Sequence, residues 1–197
     1  MTFRPQHSEL GRIANQEEVF MAEERTGAVT MRGNPVTLVG PEIKVGQAAP
    51  ECTLVDNGLQ PVRLSDAKGK VVILSTVPSV DTPVCDTETR RFNQEASGLG
   101  ENIEIWTISM DLPFAQKRWC GAAGVERVKT LSDFRNRAFS QAYGVLIKDG
   151  PLAGVTARAV FVVGKDGNVK HVEYVKEIAN EPQYEAILSA AKAAASA

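Results

Sequence analysis

Two apolar runs set the framework of this chain. Val71 to Val77 is largely apolar on both faces and Ile103 to Met110 nearly so, which reads as central strands of a parallel sheet buried on both sides. Parallel neighbours need a crossover, and the segment between them carries Val84, Thr89, Phe92, Ala96 and Leu99 near helical spacing. The pattern predicts a βαβ unit with a right-handed crossover. Open α/β sheets build their sites beyond the carboxyl ends of such strands. That directs attention to the connecting stretch, Pro78-Ser79-Val80-Asp81-Thr82-Pro83-Val84-Cys85.

This stretch delivers a cysteine into a helix start. Thr82 suits the N-cap and Pro83 the first helical position, which leaves Cys85 at the third. Unpaired backbone N–H groups and the positive end of the helix dipole favour the thiolate, the nucleophilic form. Asp81, Asp86 and Glu88 push the other way, so a basic partner is needed. Position alone also allows Cys85 to be a small buried hydrophobe. Cys52, between Pro50 and Leu54 in a strand-like piece with no helix start or base nearby, is read as structural. Cys120 stands at the far end of a second short helix, Asp111 to Gly121, with Pro113 in its first turn and Gly121 just past its end. A helix end unwinds more readily than its middle, and position leaves both a structural and a reactive role open for Cys120.

Elsewhere, Val29 to Arg32 and Val36 to Val39 flank Gly33-Asn34-Pro35 as a hairpin that would cover one end of the sheet. Short strands are expected at Pro50 to Val55, Val62 to Leu64 and Val128 to Leu131, and a helix at Arg135 to Tyr143 closed by Gly144. Arg158 to Gly164 and Val169 to Val175 form an antiparallel hairpin, with His171 on its polar face as ordinary surface. The last helix has Asn180 as candidate cap and Tyr184, Ile187, Leu188 and Ala191 as its apolar stripe. Residues 1–27 are polar without sustained period and are read as an extension outside the core, with Met21 as a possible alternative start; residues 28–197 form the domain.

A chain of 197 residues, 43% hydrophobic, suits one substantial core. A net charge of −2 with no basic run argues against nucleic acid. No apolar stretch approaches a membrane span, and the first thirty residues lack a signal peptide's apolar segment, so a cytoplasmic protein is expected, with no membrane partner. Three cysteines are too few and too odd for a secreted disulfide scaffold, and with only His7 and His171 a zinc site is not expected.

Pro78, Thr82 and Cys85 match the Pro-x-x-x-Thr-x-x-Cys motif of the peroxiredoxins, and the chain resembles that family. Further phrases resemble its bacterial thiol peroxidase branch over about residues 28 to 190. They are Gly33-Asn34-Pro35-Val36-Thr37, Asp111-Leu112-Pro113-Phe114-Ala115-Gln116 with Cys120-Gly121, Thr130-Leu131-Ser132 with Phe134-Arg135-Asn136, and Ala142-Tyr143-Gly144-Val145 with Gly150-Pro151-Leu152. The resemblance implies a thioredoxin-like α/β fold, a central mixed sheet flanked by helices with an N-terminal β-hairpin. It implies that Cys85 attacks hydrogen peroxide or an alkyl hydroperoxide and becomes a sulfenic acid. Thr82 would hydrogen-bond the peroxide, Arg158 support the thiolate, and Pro78 shape the pocket. Cys120 would resolve the sulfenic acid as a disulfide within one chain, reduced again by thioredoxin, in a homodimer that needs no cofactor.

Rival readings are weaker on the residues. Cys85 and Arg91 have the Cys-x5-Arg spacing of cysteine phosphatases, but the intervening Asp86-Thr87-Glu88-Thr89-Arg90 has two acids and no glycine, a poor cradle for phosphate. A thioredoxin-type reductase would need a second cysteine three residues on. A peroxide-responsive redox sensor would use the same cysteine pair, and only turnover separates it from an enzyme. By position alone Arg158 reads as a solvated strand-end residue.

Overall fold

The two apolar runs lie side by side in parallel, in register from Val71 with Ile103 to Thr76 with Ile108, in the computed structural model, which describes residues 23–197. In chain order the strands are β1 (Glu24–Met31), β2 (Asn34–Val39), β3 (Thr53–Val55), β4 (Pro61–Arg63), β5 (Val71–Thr76), β6 (Ile103–Ser109), β7 (Lys129–Ser132), β8 (Leu146–Ile147), β9 (Ala159–Val163) and β10 (Val169–Tyr174). The helices are α1 (Pro83–Glu95), α2 (Pro113–Ala123), α3 (Ala138–Ala142) and α4 (Tyr184–Ser196). Seven strands form one mixed sheet in the order β10-β9-β5-β6-β7-β3-β4, and β1-β2-β8 form a second, smaller sheet. Among the described residues no helix is long and apolar enough to cross a membrane.

Because β5 is covered on both faces, its alternation divides the core. Val71 and Ile73 pack beneath α1, α2 and α4 with Phe92, Trp119 and Ile187. Val72 and Leu74 face the other way, against Trp106, Phe139, Tyr143 and Phe161. The small sheet closes a third cluster of Val29, Leu38, Ile147, Ala157 and Ile178.

Several boundaries differ from the sequence reading, each for a local reason. Helix α2 runs through Gly121 to Ala123 and is closed instead by Gly124, whose left-handed backbone (φ 66°) lets its N–H reach Cys120 O. Helix α3 starts only at Ala138, because Arg137 is left-handed (φ 57°) and the buried Asp133 carboxylate accepts the Phe139 and Ser140 N–H groups. Asn180 does not cap α4. The helix begins at Tyr184 after Pro182, with the Gln183 N–H on Glu173 at 3.0 Å. The two-residue β8, too short for any period, pairs with β2. His171 is half-buried rather than on the surface, because a bulge between Val169 and His171 breaks the alternation.

Strand β1 starts at Glu24, ahead of Val29, and is tied down by Arg25, which donates to Gly40 O and Gly144 O and lies over the Tyr174 ring. The possible start at Met21 and all but the end of the expected extension lie outside the described residues.

Gly40 (φ 107°) is where the small sheet meets α3: a Cβ there would collide with Gln141 O and come within 2.9 Å of Gly144 Cα. We expect Gly40→Ala to lower stability by about 3 kcal/mol, read as a lower urea midpoint with an unchanged slope.

Candidate active site

Strand β5 ends at Thr76, and the chain then turns through Pro78 to the start of α1. Thr82 is the extended N-cap (φ −90°, ψ 146°), Pro83 opens the helix, and Cys85 in its first turn is fully buried. The Thr82 side chain does not cap the helix. Its Oγ1 lies 2.8 Å from Cys85 Sγ and 3.1 Å from Ser79 O. A hydroxyl has one proton and two lone pairs, so it can accept from a thiol while donating to Ser79 O, or turn its proton to a thiolate.

The basic partner that the acidic neighbours demanded is Arg158, just before β9. It is 2% exposed, not a solvated strand-end residue. Its Nη2 donates to Cys85 Sγ at 3.2 Å, its Nε to Ile178 O at 3.0 Å, and its Nη1 to Glu88 Oε2. The other Glu88 oxygen accepts the Ser75 hydroxyl at 2.5 Å. Burial works against the Arg158 charge, but the Glu88 carboxylate and the Cys85 sulfur outweigh it and hold the guanidinium proton more firmly than usual. Burial likewise pushes the Glu88 carboxyl up, against the pull of Arg158 and Ser75. Each Glu88 oxygen thus has its own donor, Arg158 on one and Ser75 on the other.

The three acids grouped by sequence therefore part company. Asp86 is turned to Arg90 at 2.8 Å and the Trp119 indole N–H at 3.0 Å, and Asp81 lies near solvent by Arg118. Glu88 is the functional residue that sequence reasoning missed. The signal was present: Cys85, Glu88, Thr89 and Phe92 share the buried face of α1, and an acid within an apolar stripe needs a buried cation. Asp111 was seen only as part of a phrase. Its carboxylate accepts the Ser79 hydroxyl, the Val80 N–H and the Ser109 hydroxyl, each at 2.8 Å, and so fixes the loop that precedes Thr82.

A mainly apolar cavity of about 300 Å³ opens beside this cluster, lined by Met31, Pro78, Thr82, Leu152, Arg158 and Ile178 among others. The Cys85 sulfur lies behind Thr82 and Arg158. A packing cysteine needs no such donors. A nucleophile does.

Cys120, in the last turn of α2, is half-buried, with Sγ 3.3 Å from Thr130 Oγ1, and it lines a different cavity with Asn57, Val125 and Lys129. It packs against the core layer that contains Cys85, and all three cysteines are free thiols. Cys52 is 8% exposed and pushed up to about 12, by burial first and then by the Asp133 and Glu51 charges, so it stays a neutral thiol.

Residues 44–188 match the Redoxin family. The chain is 54% identical to a thiol peroxidase of Halalkalibacterium halodurans over 85% of its length and 98% of that protein's. It is 53% identical to a thiol peroxidase of Bacillus subtilis over 84% of its length and 96% of that protein's. Its fold is similar to that of a peroxiredoxin-like protein from Aquifex aeolicus, with TM-score 0.81 and 48% identity over 86% of this chain and 96% of that one.

Arg158→Gln keeps a hydrogen-bonding group beside Glu88 but removes the charge at the sulfur. We expect it to slow modification of Cys85 by a haloacetamide at pH 7 by about tenfold, while Cys52 stays unmodified in both folded proteins; peptide mass mapping reads each site.

Proposed function

The chain belongs to the redoxin family and within it to the thiol peroxidases, and from that premise we propose that Cys85 reduces hydrogen peroxide and organic hydroperoxides. The observation that carries this reading is the buried sulfur that receives two aimed donors, the Thr82 hydroxyl and the Arg158 guanidinium, at a helix start.

The Cys85 thiolate attacks the terminal peroxide oxygen. A sulfur–oxygen bond forms, the O–O bond breaks, and the departing oxygen takes a proton to leave as water or alcohol. Sulfur loses two electrons and becomes a sulfenic acid. In the proposed roles, Arg158 stabilises the charge that passes from sulfur to oxygen, Thr82 hydrogen-bonds the peroxide, and Pro78 shapes the wall beside it. Glu88 is the buried counterion that holds Arg158 in place.

Cys120 is the proposed resolving residue. Its thiol attacks the sulfenic sulfur, water leaves, and an intrachain disulfide forms. Cys85 in the first turn of α1 and Cys120 in the last turn of α2 meet only when those turns unwind in part. A thioredoxin dithiol then reduces the disulfide by exchange. A cytoplasmic setting fits this cycle, supported by the sparse cysteine content. The proposed extension is confined to the residues before β1, since the domain expected from residue 28 already holds Glu24 and Arg25 in that strand.

Adding one equivalent of an organic hydroperoxide to the reduced protein tests the cycle. The expected product is a Cys85–Cys120 link within one chain with Cys52 free, followed by many turnovers with thioredoxin. Cys120→Ser is expected to stop at a Cys85 sulfenic acid that dimedone traps. A reduced Cys85, or a link through Cys52, would overturn the assignment, and oxidation without turnover would mark a sensor.

We further propose a homodimer through the start of α2, where Leu112 and Phe114, on either side of Pro113, are 50% and 66% exposed. Phe114→Glu is expected to shift the protein from dimer to monomer in sedimentation velocity.

A further inference from the structure

The guanidinium that touches Cys85 is held on its third side by the Ile178 carbonyl. That carbonyl belongs to the stretch after β10, which docks alongside β1. Thr30 N donates to Lys176 O at 2.7 Å, and Ile178 N donates to Thr30 O at 2.9 Å, a single parallel bridge centred on Thr30 and Glu177. The Glu177 side chain secures it. Its carboxylate reaches over the β1–β2 turn and accepts Thr30 Oγ1 at 2.9 Å, Arg32 N at 2.9 Å and Gly33 N at 3.0 Å, with Ala179 N at 3.3 Å on its own segment.

The turn is built to receive an anion. Arg32 and Gly33 both have positive φ, 51° and 78°, which directs successive N–H groups to one side as a concave anion site. Such a φ is uncommon for a residue with a side chain. The site is filled from within the chain, and the Gly33 and Arg32 N–H groups hold the Glu177 carboxyl down at about 2.

We infer that Glu177 is a positioning residue for Cys85: by pinning the Ile178 carbonyl to the β1–β2 hairpin it sets the plane of Arg158, and so aims Nη2 at the sulfur. A guanidinium held only through Nη1 by Glu88 can swing about that contact, whereas a second fixed acceptor on Nε defines its plane. The same pin sets the cavity wall, since Met31, Arg32, Ile178 and Ala179 all line it. This inference rests on the peroxidase reading above.

The test is Glu177→Ala, read in the reduced protein by haloacetamide modification of Cys85 across pH, and separately by hydroperoxide turnover. Modification at pH 7 and kcat/KM are both expected to fall by about tenfold, with the pH profile displaced upward and the fold intact at assay temperature. In an Arg158→Gln background the same substitution is expected to add nothing, because it acts through Arg158. An unmoved profile, or equal slowing in both backgrounds, would overturn the inference. If Glu177→Ala does not fold, Thr30→Val removes one of the contacts, and a smaller displacement in the same direction is expected; none would overturn it. A wild-type protein that is modified at Cys85 but turns over no hydroperoxide refutes the peroxidase reading instead, and leaves the modification comparison intact.

Discussion

Burying a guanidinium costs several kcal/mol of lost hydration, and the surroundings of Cys85 are what offset that cost for Arg158. Glu88, the Ile178 carbonyl and the Cys85 sulfur occupy three different edges of the group. None of the three is spare. Without Glu88 the charge would stand in the core without a counterion, and without Ile178 its plane would be free. Two of these acceptors have little other reason to be where they are: an acid on the buried face of α1, and a carbonyl on a stretch held by a hairpin more than a hundred residues earlier in the chain. The site is therefore a property of the fold rather than of the motif, because its parts come from β5, α1, β9 and the segment after β10.

The sheet explains why these parts can be held so closely. Strand β5 lies between parallel β6 and antiparallel β9, so the loop before α1 and the residue before β9 leave the sheet at the same end. Cys85 and Arg158 are brought together by adjacent strands, not by a flexible loop. Asp111, at the same end of β6, fixes the remaining variable, the path from Ser79 to Thr82. Rigid elements on three neighbouring strands thus position the sulfur, its hydroxyl partner and its cation.

The framework and the helix start that carries Cys85 were legible because their signals are local, whereas position left the role of Cys120 open. The apolar runs read as central strands, and Thr82-Pro83 reads as a helix start, from a few adjacent residues. What escaped was non-local or arose from backbone irregularity. The environment of Arg158 depends on burial by partners far away in sequence, so position alone misplaced it in solvent. Glu88 was grouped with Asp81 and Asp86 by charge, although its place on the helix face already separated it from them. His171 followed strand alternation until a bulge shifted it. Asp133 shortened α3 by capping it from outside the helix, which periodicity does not register.

The same distinction separates what must stay fixed in the proposed cycle from what must move. The Arg158 cluster is buried, with an acceptor on each guanidinium nitrogen, and breaking one partner of a buried pair costs about 3–5 kcal/mol. The polar contacts around α1 and α2 are of another kind: Asp86 with Trp119 and Arg90 with Ala123 O join the two helices near the surface, and Asn93 accepts the Glu126 and Arg127 N–H groups just after α2, over a core cluster that Phe92 and Trp119 share. Exposed pairs are worth about 0–1 kcal/mol each. Cys85 lies in the first turn of its helix and Cys120 in the last turn of its own, where opening disturbs the fewest backbone bonds. In the proposed cycle, unwinding these ends to join the two sulfurs breaks those weak contacts together with the Thr82 and Arg158 hydrogen bonds to Cys85, while β5, β6 and β9 keep the sheet intact. In that cycle Arg158 loses an acceptor when Cys85 leaves its place, so the contacts proposed to support the thiolate also favour the sulfur's return after reduction.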